Sequence, residues 1–452
     1  MVTIFCVFGL LSVRFFAVRG TATFTMGPLQ YITICDAWVY AFGGVLLRVA
    51  RVVLVWSYFY LDSTAPYARF CALLLTFIFT MVLLITAASL PFALIGWDGL
   101  GVSSFLLVAF YGTRSSISAA LLTALSNRTG DCLFLLLIAR VTFTGNAGRV
   151  ARLIVLLRLT KRAQFPFWSW LPAAIAAPTP VRALVHSSTL VTAGIYILLR
   201  FAGFSLAWLV VVGRITVLAA GGSAWYEADL KKVVALSTLS QLGVMFVALG
   251  VGAKELCFFH LLAHALFKSL LFLSVGVRLH RMFGSQDSRS FGSGLTLTAP
   301  ASAAATIALF ALSGFPFLAG FYRKDAIIER FYQSARRILS GGCFLLGVGL
   351  TAAYRFKLLR ATCSVPLNSP LLIATGSNPL VKGTLGALGV GAVTGGRFLS
   401  PIVRLRPPCT YVRDMLIPLR VASVGLVVSR VAYGYPRASL ASLGWLTPLT
   451  RR

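Results

Sequence analysis

Residues 255–279 read ELCFFHLLAHALFKSLLFLSVGVRL. Twenty-five residues wound as a helix cover about 38 Å, more than the roughly 30 Å hydrocarbon core of a bilayer. Between Glu255 and Arg278 the ionisable residues are His260, His264 and Lys268. Their i, i+4, i+8 spacing puts all three on one helix face, with a drift of about 40° per step. A charge near the bilayer centre costs at least a few kcal/mol, so this face must meet protein or water rather than lipid. The stretch therefore predicts a spanning helix inside a larger bundle.

The rest of the chain agrees. Of 452 residues 58% are apolar and 12% charged, about half the charge of a soluble domain. Apolar runs fall at 1–18, 38–60, 66–87, 89–112, 118–140, 150–172, 178–200, 205–222, 233–250, 255–279, 297–320, 338–359, 378–396 and 415–434. They predict an all-α polytopic membrane protein of about 13–14 spanning helices. The runs are continuous and do not alternate every second residue, which excludes a β-barrel. Arg48 and Arg51 blur the second run, and prolines punctuate the chain beyond residue 360.

The net charge is +30, from 33 arginines and eight lysines against eleven acids. They lie scattered between apolar runs rather than in a stripe interleaved with aromatics, so nucleic acid is not the partner. Helix-end anchoring, acidic lipid headgroups and acidic partner subunits explain them better. Eight cysteines stand at least 20 residues apart. With no CxxC, ligands for an iron–sulfur cluster, c-type haem or zinc knuckle are missing. No phosphate-binding glycine loop follows a strand, and only two of the four histidines are close. The first 18 residues carry neither a basic leader nor a cleavage motif, and no removable presequence is expected.

Phe-Pro-Phe occurs at 165–167 and again at 315–317, each inside an apolar run. Pro166 and Pro316 each remove a helical hydrogen bond. In a membrane the freed carbonyl must meet protein or water. Lys161 lies five residues before the first and Lys324 eight after the second. Two interrupted helices with charges, one in each half, point to a transporter built from inverted repeats. Gly383, Gly386, Gly389 and Gly391 predict a helix face that packs closely.

Asp98, Asp131, Lys161, His186, Asp229, Lys231, Lys232, His260, His264, Lys268, Lys324 and Asp325 lie in or beside apolar runs. Lys, His and carboxylate on successive helices are what a proton relay needs. Moving one charged partner changes its neighbour's affinity for a proton, with no cofactor involved.

The segments GWDGLGVSSFLL (96–107), NRTGD (127–131), AQFPFWSWLPAAIAAPTPVRALVHSSTLVTAGIYILLRF (163–201), DLKKVVALSTLSQLG (229–243), FFHLLAHALFKSLLFLSVG (258–276), QDSRSFG (286–292) and GFYRKDAII (320–328) resemble the chain 5 family of respiratory NADH–ubiquinone oxidoreductase, complex I. The resemblance runs from about Asp36 to Arg360. HSSTLVTAGIY and the lysine of GFYRKD favour chain 5 over its paralogues, chains 4 and 2. The large subunits of multisubunit sodium/proton antiporters are similar over the same core.

The resemblance implies an antiporter-like fold of two inverted five-helix repeats, each with a broken helix. It implies an N-terminal transmembrane segment at 1–35, halves at 36–200 and 201–360, and a shortened membrane extension at 361–452. Asp98 takes the place of the buried acid, usually Glu, that pairs with Lys161. His186 and Lys231 match central positions, His260 and His264 the histidines of the second half, and Lys324 with Asp325 the terminal site. Arg128 and Asp131, with Asp229, Lys268, Pro166 and Pro316, take structural or gating roles.

The chain is thus expected to move protons as a subunit of an NADH:ubiquinone reductase in the mitochondrial inner membrane. It is expected to hold no cofactor; flavin, clusters and quinone belong to other subunits. Its partners are expected to be the chain 4 homologue, accessory subunits and phospholipids. Two other readings fit the same residues, a subunit of a cation/proton antiporter and a non-pumping scaffold. Departures bear on them: Ala173 stands where the family often has an acid, and Arg162, Arg182 and Arg323 where small or hydroxyl residues are usual. The tail after Lys324 shows no uninterrupted amphipathic helix of the family's lateral kind, so that arm is expected to be short or supplied by another subunit.

Overall fold

The computed structural model describes residues 20–26, 29–61, 66–144, 164, 168, 170–201, 207–281, 299–315, 318, 320–334, 338–363, 379–403 and 423–425. The chain divides into two compact units, one ending at residue 204 and one beginning at 205.

The first unit opens with an antiparallel hairpin, β1 (Gly20–Met26) on β2 (Leu29–Cys35). Their β-branched and aromatic residues suit a ladder better than a helix. Within the N-terminal segment 1–35 the stretches Gly20–Met26 and Leu29–Cys35 are strand, while residues 1–19, which include the apolar run 1–18 expected to span the membrane, lie outside the described residues.

Then come α1 (Ala37–Tyr60), α2 (Tyr67–Thr86), α3 (Leu90–Val108), α4 (Arg114–Thr144), the single turn α5 (Trp170–Ala173) and α6 (Thr179–Phe201). In α6 the backbone is π-helical from Arg182 to Thr189. The side chain of Tyr196 in α6 donates to Ile85 O at 2.9 Å, and Arg200 pairs with Asp36 at 3.4 Å. These bonds fix the C-terminal half of α6 against the unit's other elements.

The second unit comprises α7 (Ala207–Tyr226), α8 (Leu230–Gly250), α9 (Lys254–Arg281), α10 (Ala299–Ser313), α11 (Phe321–Ser334), α12 (Ile338–Cys363) and α13 (Pro379–Val403). α8 packs on α7, α9 and α12, and α9 on α10 and α13. α7 and α8 approach closely because two glycines face each other: a Cβ on Gly243 would stand 2.8 Å from Gly213 O. Small residues are what allow such an approach between membrane helices. A helical run breaks between Ser313 and Phe321, where Gly314 takes a φ of +81°. That is the interruption expected around Pro316, although Pro316 itself, with Pro166, lies outside the described residues.

Nine helices among the described residues are long and apolar enough to cross a membrane. Each coincides within a few residues with one of the apolar runs. Outer helices α2, α3 and α4 keep large apolar side chains such as Phe79, Val102 and Leu125 exposed, as lipid-facing surfaces do. The apolar window of α8 is wholly buried and that of α9 is 94% buried.

One packing expectation fails. An added Cβ at Gly383, Gly386 or Gly389 would meet nothing within 4 Å, and Gly391 meets only the end of Leu266. Among the described residues, most of the glycine face of α13 is therefore open rather than packed.

Candidate functional site

In the second unit the polar groups converge from three helices. His260, His264 and Lys268 are each at most 1% exposed on α9, so their shared face turns into the protein, as the spacing predicts. Lys268 Nζ donates to Ser237 Oγ of α8 at 2.5 Å. One turn on, Ser240 Oγ bonds Ser237 O at 3.0 Å and the hydroxyl of Tyr354 on α12 at 2.9 Å. A continuous polar path thus joins Lys268 to Tyr354 across α8.

Sequence reading ranked Lys268 as structural and passed over Ser237, Ser240, Tyr354 and Arg355. The serines carried a signal, since STLSQ interrupts an apolar run. Arg355 is 3% exposed, and none of its three nitrogens has a hydrogen-bond partner among the described residues. Its guanidinium lies 5.8 Å from the Tyr354 ring and is near enough to act electrostatically on Lys268.

At the start of α8, Lys232 pairs with Asp229 at 2.8 Å and Glu227 at 3.4 Å. Lys357 of α12 donates to the carbonyls of Trp225 (2.8 Å) and Glu227 (2.5 Å). These carbonyls lie at the C-terminal end of α7, where a cation complements the helix dipole. Asp229 and Lys232 therefore act in a clamp that fixes the turn bearing Lys231, which is half-buried. Lys324 and Asp325 fall in the first turns of α11.

In the first unit His186 is buried within the π-helical stretch, and neither ring nitrogen has a hydrogen-bond partner among the described residues. Buried polar atoms of this kind are rare and call for an explanation in function. Trp170 stacks obliquely 6.2 Å away. Arg182, one turn before, spends two donors on Ala177 O at 2.9 and 2.7 Å.

The π winding has a local cause. Thr189 Oγ1 bonds the carbonyls of Leu184 and Val185, Ser188 that of Leu184, and Ser187 that of Ala183. Hydroxyls that back-bond in this way compete with the regular ladder.

On α3, Asp98 is half-buried and its Oδ1 is enclosed without a hydrogen-bond partner among the described residues. Lys161, the partner expected for it, lies outside the described residues. The neighbouring Trp97 donates from Nε1 to Asp131 Oδ1 at 3.0 Å, and Arg128 stands 3.6 Å from the same carboxylate. Asp131 thereby ties α4 to α3. Gln164 is fully buried with neither amide atom bonded among the described residues, and sequence reading did not single it out.

Buried His, Lys and carboxylate groups on apolar helices of two successive units, with a helix broken at Gly314, define an antiporter-like membrane subunit. Comparison with solved structures gives the same fold. The Mrp complex from Dietzia sp. aligns over 98% of this chain and 54% of that chain, with TM-score 0.87 at 24% identity. The membrane-bound sulfane sulfur reductase, an archaeal respiratory membrane complex, aligns over 95% and 92%, with TM-score 0.77 at 19% identity. The family model described as NADH:quinone oxidoreductase/Mrp antiporter, TM matches residues 146–350.

Among curated proteins, NADH-ubiquinone oxidoreductase chain 5 of Anopheles gambiae is 42% identical over 404 residues, 84% of this chain and 70% of the relative. That of Locusta migratoria is 38% identical over 441 residues, 91% and 77%. The chain belongs to the NADH-ubiquinone oxidoreductase chain 5 family.

Proposed function

We propose that this chain is a proton-translocating membrane subunit of NADH:ubiquinone oxidoreductase, complex I, in the mitochondrial inner membrane. Family membership supports the assignment, and the animal relatives support the compartment. The observation that carries the proton reading is the buried row His260, His264 and Lys268, with Lys268 bonded to Ser237 on the neighbouring helix. Titratable groups inside apolar helices cost several kcal/mol and mark ion or proton pathways.

The relay comprises Asp98 and Lys161 in the first half, His186 and Lys231 at the centre, His260 and His264 in the second half, and Lys324 with Asp325 at the end. Lys268 joins it as a proton-handling group rather than a structural one. Flavin, iron–sulfur clusters and quinone sit in other subunits, and electron transfer there drives the relay. The chain 4 homologue, accessory subunits and phospholipids such as cardiolipin are the neighbours.

The Lys324→Ala variant tests the terminal site. It should assemble, pump fewer protons and oxidise NADH more slowly when coupled. Full pumping at unchanged electron flux would leave Lys324 outside the pathway and favour a non-pumping scaffold.

A further inference from the structure

We propose that the open groove between α10 and α13 holds an acyl chain of an anionic phospholipid, with its phosphate at Lys382. The proposal rests on the membrane assignment above and gives its lipid partner a place. The groove encloses about 420 Å³ and is lined by Pro300, Ala304 and Ile307 on one side and Gly386, Gly389 and Val393 on the other. Its walls are apolar apart from Thr394, and Lys382 supplies the charge.

Three observations select a lipid. α13 has 25 residues, a length that matches a bilayer although the helix is less apolar than the nine spanning candidates. Lys382 lies in its first turn, where an inserted helix of this length would bring it to the headgroups. From Lys382 to Thr394 the lining descends about 18 Å, close to the roughly 15 Å depth of one leaflet's hydrocarbon. The floor is open among the described residues, because a Cβ at Gly386 or Gly389 would touch nothing within 4 Å.

Around the groove Leu380, Val390 and Phe398 are exposed, so the surface continues as an acyl-compatible face. Lys382 is itself exposed, and its flexible stem can carry the ammonium to a phosphate while its methylenes stay in the apolar layer.

The test uses the intact complex in phosphatidylcholine nanodiscs. These carry a small fraction of phosphatidylglycerol, or of phosphatidylcholine, with a photoreactive diazirine in the acyl tail. After illumination, cross-linked peptides are mapped. Labels should fall on α10 and α13 residues facing the groove, with about a fivefold preference for the anionic probe, the effect of one lysine near a charged surface.

Lys382→Gln should abolish the preference and keep the labelling by the neutral probe. Gly386→Leu combined with Gly389→Leu should fill the floor without strain and remove labelling by both. NADH oxidation should stay at the wild-type rate in both variants, so a failure here is distinct from a failure of the proton reading. The proposal is overturned by labels that avoid the groove, by a preference that survives Lys382→Gln, or by cross-links from α13 to a helix of a neighbouring subunit.

Discussion

α6 and α9 each carry buried histidine through the middle of a unit, yet they present it differently. α9 is regularly wound, so His260, His264 and Lys268 stack on one face and Lys268 meets Ser237 across a helix contact. α6 is π-wound around His186, and its hydroxyls bond backwards to their own helix. Lys268 of α9 reaches a neighbouring helix although Ser269 and Ser274 bond back to their own backbone, whereas on α6 the hydroxyls bond backwards and the imidazole of His186 is unbonded among the described residues. Single π turns are rare and concentrate where function needs a side chain re-aimed. The contrast sets a regularly wound polar face on α9 beside a π-wound one on α6, where a change of winding would re-aim His186.

The strongest way to sharpen the α9 side is Arg355→Ser. A buried guanidinium without a counter-charge costs several kcal/mol after relaxation, and among the described residues Arg355 meets the Tyr354 ring but no acid. The variant should raise the thermal midpoint of the subunit within the complex, against the usual direction for a buried substitution. Lowered stability would mean that Arg355 is paired and that the environment of Lys268 is different.

Next in size is Gly243→Val, at the α7–α8 contact that seats the helix bearing Ser237. Its Cβ would sit 2.6 Å from Thr216 Oγ1 and 2.8 Å from Gly213 O. The backbones must separate, at a cost of about 1–3 kcal/mol. Reduced denaturation resistance together with impaired NADH-driven pumping is the expected pair of outcomes. A neutral result would show that α8 can shift without disturbing Lys268.

The smallest effect is expected on α6. Thr189→Val keeps shape and branching but removes the bonds to Leu184 and Val185, about 1 kcal/mol in all. The π stretch should relax toward α-helix, which turns His186 by roughly one residue's 100°. A cryo-EM map of the variant with Arg182–Thr189 still π-wound would refute the hydroxyl explanation.

The same contrast separates what the sequence made legible from what it hid. Apolar run length locates, within a few residues, the nine helices among the described residues that are long and apolar enough to span, because crossing a bilayer sets a minimum length. Regular spacing made the inward face of α9 readable before any coordinates. The π stretch was unreadable, since a period of 3.6 is assumed in every such count and HSST looks like ordinary polar interruption.

The alternation of Thr with Ile, Phe and Tyr over residues 20–35 suits the hairpin observed, a period that a count of apolar run length does not register. The glycines of α13 signalled close packing but face open space, because composition states what a surface permits and not what occupies it. Tyr354 and Arg355 were missed for a further reason. Which faces of α8, α9 and α12 meet is a property of tertiary packing, and periodicity within one helix does not contain it.

The central claim is that buried groups of this chain carry protons driven by NADH oxidation elsewhere in the complex. Lys268→Met tests it most directly, because it keeps the side-chain length, removes the ammonium and leaves Ser237 bonded to Val234 O at 2.6 Å. The measurement is protons translocated per NADH oxidised by the complex reconstituted in sealed liposomes. A lowered ratio, or pumping and coupled oxidation falling together in a fully assembled complex, is the predicted result. An unchanged ratio at an unchanged oxidation rate would contradict the account.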